Sequence, residues 1–331
     1  MTVNNRIVSG MRPTGPLHLG HYFGVLDNWV ELHKDHQCFF FVADWHALTT
    51  EYAEPQKIKG FVPGLVTDWV AAGLDPARCV MFLQSQVKEH AELHLLLSML
   101  TPMSWLERNP TYKDVRDQLD GTKDLSTYGF LGYPVLMGSD ILIYKPKWVP
   151  VGQDQLPHLE LTREIARRAN HLWGDTFPEP EAKLTQSPKL PGLDGRKMSK
   201  SYGNSISLGE NLDEVRKKIS TMLTCVKRAR LKDPGEPDEC NLYPYHELFT
   251  PVEECQRIAR DCRSAAMGCG ECKKIMAANL CEFLGPFQER RAELDKNPDL
   301  AWDILSDGNE KARISARATI EELREKLNFN F

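Results

Sequence analysis

The run Cys38-Phe39-Phe40-Phe41-Val42-Ala43 restricts the fold more than any other stretch of the chain. Six apolar residues in a row fall far short of the ~20 that a bilayer-spanning helix needs. They have the length of a strand, and no polar residue alternates among them to face water. A strand of that kind is covered on both faces, the pattern of a parallel sheet whose neighbours are joined by crossover helices. Arg6-Ile7-Val8-Ser9-Gly10, Cys79-Val80-Met81-Phe82-Leu83 and Trp148-Val149-Pro150-Val151 are further candidate strands. Leu19, Phe23, Leu26 and Val30 recur at spacings of 4, 3 and 4, which predicts a core-facing helical stripe after the first strand. Strands alternating with helical stretches imply an α/β fold.

The texture changes after about residue 205. Strand-like runs disappear, and Ala312, Ala316, Ile320, Leu323 and Leu327 mark an amphipathic last helix. A length of 331 residues suits two domains at ~150 residues each. The expected division is 1–204, α/β, and 205–331, α-helical, with Leu190-Pro191-Gly192-Leu193-Asp194-Gly195 as the linker. Hydrophobic content of 41%, charged content of 26% and a mean hydropathy of −0.42 exclude a disordered chain, a collagen-like fibre and a polytopic membrane protein. Met1-Thr2-Val3-Asn4-Asn5-Arg6 has no apolar signal core, so a cytoplasmic location is expected. With 41 basic against 46 acidic side chains the net charge is −5, so any nucleic acid has to be held by a local basic patch.

Two constellations carry chemistry. Gly15-Pro16-Leu17-His18-Leu19-Gly20-His21 follows a strand and opens a helix. Glycine lets a ligand approach the backbone there, and a helix start offers unpaired N–H groups to a phosphate. By themselves, His18 and His21 are as readily a capping pair. Lys197-Met198-Ser199-Lys200-Ser201 sets two lysines three apart beside small hydroxyl residues, which suits charge developing on a triphosphate. Alone, it is as readily a solvated basic loop.

In this order, about 180 residues apart, the two resemble the signatures of class I aminoacyl-tRNA synthetases. The resemblance implies a Rossmann-like nucleotide-binding domain with a helical insertion, followed by a helical anticodon-binding domain. Gly132-Tyr133-Pro134-Val135-Leu136-Met137-Gly138-Ser139-Asp140-Ile141-Leu142 is similar to the substrate helix of the tryptophanyl and tyrosyl pair. Its Leu-Met-Gly-Ser-Asp-Ile-Leu form resembles the tryptophanyl branch, as do Phe41 to Ala47 and Val149 to His158. An indole brings a single N–H donor, which costs ~1–3 kcal/mol to bury unpaired. Asp140 beside Met137 can accept it, and Val149 and Val151, alternating on a strand, can wall the ring.

Residue by residue, the resemblance implies a tryptophan site of Val8, His46, Tyr133, Met137, Asp140, Val149, Val151 and Gln155. It implies an ATP site of Arg12, Thr14, His18, Gly20, His21, Gly152, Asp154, Lys197, Met198, Ser199 and Lys200. Lys197, Lys200, His21 and Lys113 are the expected catalytic contacts, with Mg²⁺ beside ATP. The implied partners are tRNA(Trp), L-tryptophan and a second copy of the chain, with no membrane. The first signature keeps both His18 and His21, and Arg12 stands where Gln is common in the family. Three competing readings are weaker. A tyrosyl relative would carry more polar partners for a phenol, and a non-catalytic RNA-binding paralogue gains nothing from Lys197 and Lys200. A small-molecule adenylyltransferase shares the histidine loop but lacks the long helical domain.

Five cysteines, Cys240, Cys255, Cys262, Cys269 and Cys272, crowd into residues 240–272. Their spacing has only one close pair, Cys269-x2-Cys272, whereas zinc ribbons commonly show two. The set Cys240, Cys262, Cys269 and Cys272 resembles the [4Fe–4S] ligands of a subset of bacterial tryptophanyl-tRNA synthetases, with the first gap one residue shorter than theirs. Zinc is the alternative, and Cys255 is an alternative to Cys240. Cys38, Cys79, Cys225 and Cys281 read as buried free thiols. Lys227, Arg228, Arg230, Lys232, Lys273 and Lys274 flank the cluster and are a candidate patch for an anticodon arm.

Overall fold

The computed structural model describes residues 5–109, 126–184, 190–225, 227–228, 230 and 232–329. Lys113 lies outside the described residues. Among them, strands β1 (Arg6–Met11), β2 (Gln37–Val42), β3 (Val80–Leu83), β4 (Trp148–Val151) and β5 (Glu181–Leu184) form one sheet in the order β3-β2-β1-β4-β5. Every pairing is parallel, as in Val8 opposite Phe39 and Phe39 opposite Val80. β2 is buried from Cys38 to Val42, as its unbroken apolar run requires. β5 was not expected. Glu181-Ala182-Lys183-Leu184 is an edge strand whose ends are exposed, so its sequence carries no buried-strand signal.

Helical turns run from Leu19–His21 (α1) through a π-helical stretch, Tyr22–Leu26, to Asp27–Leu32 (α2). The π turn shifts the helical phase, so Leu19, Leu26 and Trp29 are buried, while Phe23 and Val30 of the expected stripe stay half-buried. The helices that follow are Asp44–Glu51 (α3), Gln56–Ala72 (α4), Glu89–Leu100 (α5), Met103–Glu107 (α6), Tyr128–Leu142 (α7) and Leu156–Trp173 (α8). Then come Leu212–Thr221 (α9), Tyr243–Phe249 (α10), Val252–Arg263 (α11), Cys269–Leu294 (α12) and Leu300–Lys326 (α13).

Two compact units result: Met1–Gly15 with Asn28–Gln186 and Asn297–Phe331, and Pro16–Asp27 with Ser187–Lys296. This division differs from a single cut between 204 and 205 at both ends of the chain. The last helix, α13, belongs with the sheet. Ala312, Ala316, Ile320 and Leu323 enter the core cluster that holds Phe39, Phe82 and Tyr144. A Cβ on Gly308 would collide with the backbone of Met81, so glycine allows α13 to approach β3 this closely. Thr319 donates to the Ile143 carbonyl at 2.7 Å, and Arg324 grips Glu92 with two nitrogens at 2.7 Å. At the other end, the His18 loop bonds to the second unit: Leu19 N donates to Ile206 O at 3.0 Å, and Leu208 N to Leu17 O at 2.9 Å. The expected linker is also an ordered loop of that unit. Leu193 N donates to Asn204 O and Leu223 N to Leu193 O, each at 2.9 Å.

Candidate active site

In the first unit, α7 carries Tyr133, Met137 and Asp140 at spacings of 4 and 3, on one face of the helix. Asp140 is 1% exposed, yet three protein side chains donate to it. It accepts from His46 Nε2 at 2.7 Å, from His90 Nδ1 at 2.6 Å and from Gln84 Nε2 at 2.8 and 2.9 Å. Burial would raise its pKa, but the bonds from His46 and His90 overrule that and hold it down to about 2. Asp140 is therefore a carboxylate at neutral pH, and it can only accept.

Beside it lies an apolar wall. Val149 and Val151 form one buried cluster with Ile141 and Leu159, against which Met137 packs. Val8 is wholly buried in the larger core cluster with Phe39 and Phe41, not in this one. The Tyr133 hydroxyl lies 2.9 Å from His158 Nε2, and the Asn109 amide lies 3.1 Å from His158 Nδ1. Burial and then the nearby His46 push His158 down to about 4, so it is neutral at pH 7. With Asn109 donating to Nδ1, Nε2–H donates to the Tyr133 oxygen. That leaves the Tyr133 proton to point away from His158. Burial, partly offset by Arg12, raises the Tyr133 hydroxyl to about 12.

Arg12 and Thr14 follow β1, and Gly152 and Asp154 follow β4. β1 and β4 are neighbours at the point where the strand order reverses, the crevice that receives ligands in open α/β sheets. Arg12, Thr14 and Asp154 are exposed there, and Gln155 donates to Asp154 at 3.3 Å.

The second unit holds the other two expected loops together. His18 is 7% exposed, stacks on His21 with ring centroids 3.7 Å apart, and leaves Nδ1 buried without a partner. Burial, and then Lys200, push His18 down to about 4. A Cβ on Gly20 would stand 3.7 Å from the Met198 sulfur, so the two signature loops lie side by side. Asn204 shapes the lysine loop. It accepts from Ser199 N at 2.8 Å and donates to Asp194 at 2.7 Å and to Lys197 O at 3.2 Å. Met198 is buried while Lys197 is exposed, so the loop is anchored by its methionine and presents cationic groups.

A separate pocket in this unit is lined by Cys225, Cys240, Cys262, Cys269 and Cys272, with Arg228, Leu242 and Met267. The four expected ligands thus face one space. Cys225 joins them, although it read as a structural thiol, and Cys255 instead meets the Tyr243 hydroxyl at 3.5 Å. A Cβ on Gly235 would strike the Cys262 sulfur. Burial first, then neighbouring thiols, push Cys272 up to about 12. His246 Nε2 lies 3.2 Å from the Cys272 sulfur, and its Nδ1 lies 2.9 Å from the Thr250 hydroxyl. Among the described residues no three His, Cys, Asp or Glu side chains converge to hold a single metal ion. The basic patch is partly neutralised: Lys227 pairs with Glu239 at 2.5 Å, and Lys273 donates to Ser220 O at 2.9 Å.

Sequence patterning did not point to Gln84, His90, Asn109, His158 or Tyr144 as site residues. They are single buried polar residues without periodic spacing, and only their shared burial around Asp140 and Tyr133 reveals them.

Residues 2–285 match the family model for tRNA synthetases class I (W and Y). The tryptophan–tRNA ligase of Thermotoga maritima is 51% identical over 98% of this chain and 100% of its own. That of Aquifex aeolicus is 45% identical over 98% and 99%. The crystal structure of tryptophanyl-tRNA synthetase from Campylobacter jejuni complexed with ADP and tryptophan superposes with a TM-score of 0.87 at 33% identity, covering 98% of this chain and 99% of that one. Two signature loops inside the matched span, a buried carboxylate beside an apolar wall and relatives matched over nearly their full length lead to one assignment: the chain belongs to the class I tRNA synthetases of the tryptophan and tyrosine family.

Proposed function

We infer that this chain is a tryptophan–tRNA ligase. The observation that carries the reading is Asp140: a buried anion beside the apolar wall of Met137, Val149 and Val151. An anionic acceptor in an apolar slot suits an aromatic ring with one N–H, and a ligand lacking that donor leaves an acceptor position of the buried carboxylate unfilled. Tryptophan's carboxylate attacks the α-phosphate of ATP, releasing pyrophosphate, and a terminal ribose hydroxyl of tRNA(Trp) then attacks the adenylate. No side-chain nucleophile is needed. Tyr133 and Gln155 hold the substrate ammonium, while Arg12, Thr14, Gly152 and Asp154 take the nucleotide at the β1/β4 switch point. His18, Gly20, His21 and the Lys197–Lys200 loop meet the phosphates, where Mg²⁺ shares the charge. ATP–pyrophosphate exchange with tryptophan, tyrosine and phenylalanine tests this. Exchange with tryptophan alone is expected, and exchange with tyrosine overturns the pocket reading.

The cysteine pocket is read as the seat of a [4Fe–4S] cluster held by Cys240, Cys262, Cys269 and Cys272. Four thiols that line one pocket suit a cluster held by four thiolates, and their spacing has one close pair where zinc ribbons commonly show two. When bound, such a group supplies thiolate–iron bonds that tie α11, α12 and the loop at Gly235 together. We assign that unit to the anticodon arm, with Arg228, Arg230, Lys232 and Lys274 as its cationic groups. Iron and acid-labile sulfide in equal amounts are expected after anaerobic reconstitution; zinc without sulfide favours the alternative metal.

Leu95, Met99, Met103 and Tyr128 on α5, α6 and α7 are 56%, 72%, 61% and 69% exposed. Exposed apolar side chains in that number suit burial against a second copy of the chain, and light scattering at the dimer mass is the expected result. No described helix is long and apolar enough to cross a membrane.

A further inference from the structure

Behind Asp140 stands a second row of polar groups, which the activation chemistry does not itself require. His90 and Tyr144 are both 0% exposed. His90 Nδ1 lies 2.6 Å from Asp140, and His90 Nε2 lies 2.7 Å from the Tyr144 hydroxyl. Aromatic rings enclose the pair. Phe41 and Phe82 stand 6.2 and 5.9 Å from the imidazole, and Phe39 stacks on Tyr144 at 4.8 Å. Burying a phenol, an imidazole and a carboxylate among phenylalanines is costly unless each is paired, and apolar residues of similar size could fill the same space.

We propose that Tyr144–His90–Asp140 is a specificity relay, in which His90 and Tyr144 are positioning residues that hold Asp140 aimed and ionised for the indole N–H. The proposal rests on the tryptophan reading of the pocket. Asp140 can only accept, so His90 Nδ1 carries the proton toward it. The remaining hydrogen of the row, on the Tyr144 hydroxyl, then points to His90 Nε2. The row is thus directed, each donor facing the carboxylate side. Gln84 spans both carboxylate oxygens and is itself 0% exposed. Of Asp140's three partners only His46 reaches the surface, at 13% side-chain exposure. The carboxylate is therefore fixed from behind by Gln84 and His90 and can adjust only on the His46 side, where the ring enters. A substrate has to bring a donor to that side, because every acceptor would meet a fixed negative charge.

The test measures pyrophosphate exchange with L-tryptophan and with β-(3-benzothienyl)-L-alanine, which has the same shape without the N–H. The variants are Tyr144→Phe, His90→Leu and His90→Asn, with thermal unfolding followed in parallel. Losing one charge-assisted bond at Asp140 should shrink the kcat/KM preference for tryptophan by roughly 10–100-fold in His90→Leu, through KM for tryptophan, with KM for ATP unchanged. Tyr144→Phe removes one hydroxyl and should shrink it several-fold. His90→Asn keeps an N–H near the Nδ1 position and should restore part of the preference. If all three variants melt earlier yet keep the wild-type preference, the relay is structural only and the proposal falls. If the wild-type protein itself does not prefer tryptophan over the benzothienyl analogue, the pocket reading fails instead.

Discussion

The Asp140 pocket and the cysteine pocket are both buried polar sites, and they solve burial in opposite ways. Asp140 finds all its partners in the protein, from His46, Gln84 and His90, and its pKa is held at about 2. The thiols around Cys272 are crowded instead by other thiols, and burial pushes Cys272 up to about 12. A carboxylate with fixed donors is held in place before any ligand arrives. A set of buried thiols is not yet ready, because a metal must displace their protons before they become good ligands. The contrast separates a carboxylate site that is pre-formed from a thiol pocket that the proposed cluster would complete.

The largest effect expected is from Asp140→Ala, which removes the acceptor and strands three buried donors. Tryptophan activation should fall by ~10³-fold or more in kcat/KM, read by pyrophosphate exchange. Lys200→Ala comes next. It removes charge that the proposed mechanism sets on the transferring phosphate, so kcat should fall by ~10²–10³-fold with KM for tryptophan unchanged. Gly235→Ala drives a Cβ into the Cys262 sulfur, so iron and sulfide content should drop sharply. Exchange with tryptophan should persist in that variant while tRNA charging falls. If exchange fell in step with iron, the two pockets would not be independent.

The smallest effect is in pH. His18 and His158 are held at about 4, below the ordinary histidine value near 6.5. Between those values the unfolded chain binds more protons than the folded one, so their contribution is full above pH ~6.5 and is lost as pH falls toward 4. Each contributes at most ~1.4 kcal/mol per pH unit over that window, less where solvent screens it. Asp140 has the same sign at lower pH: its contribution stands above pH ~3.9 and is lost as pH falls toward 2. Denaturant unfolding at pH 7, 5.5 and 4.5 reads the histidine part, and a flat profile would contradict it.

Much of the fold was legible because burial leaves patterns in sequence. The apolar run of β2 announced a central parallel strand, and the spacing of Ala312, Ala316, Ile320 and Leu323 announced one face of the last helix. That spacing says which face is buried but not against what, so it does not reveal that α13 packs with the sheet. Gly308, the residue that lets it reach β3, looks like any helix-interior glycine in one sequence. The signature loops were legible as short motifs, and the structure sets Gly20 beside Met198. Asp140 was legible only through resemblance, and its partners Gln84, His90 and Tyr144 were not. A buried polar residue is defined by what it faces, and nothing in its local sequence records a partner 50 or 54 residues away.

The most direct measurement is tryptophan-dependent ATP–pyrophosphate exchange on protein freed of iron, beside the same protein after reconstitution. A pre-formed Asp140 pocket predicts equal exchange in both, with tryptophan and not with tyrosine. Exchange with tyrosine, or exchange that appears only once iron is restored, would contradict it.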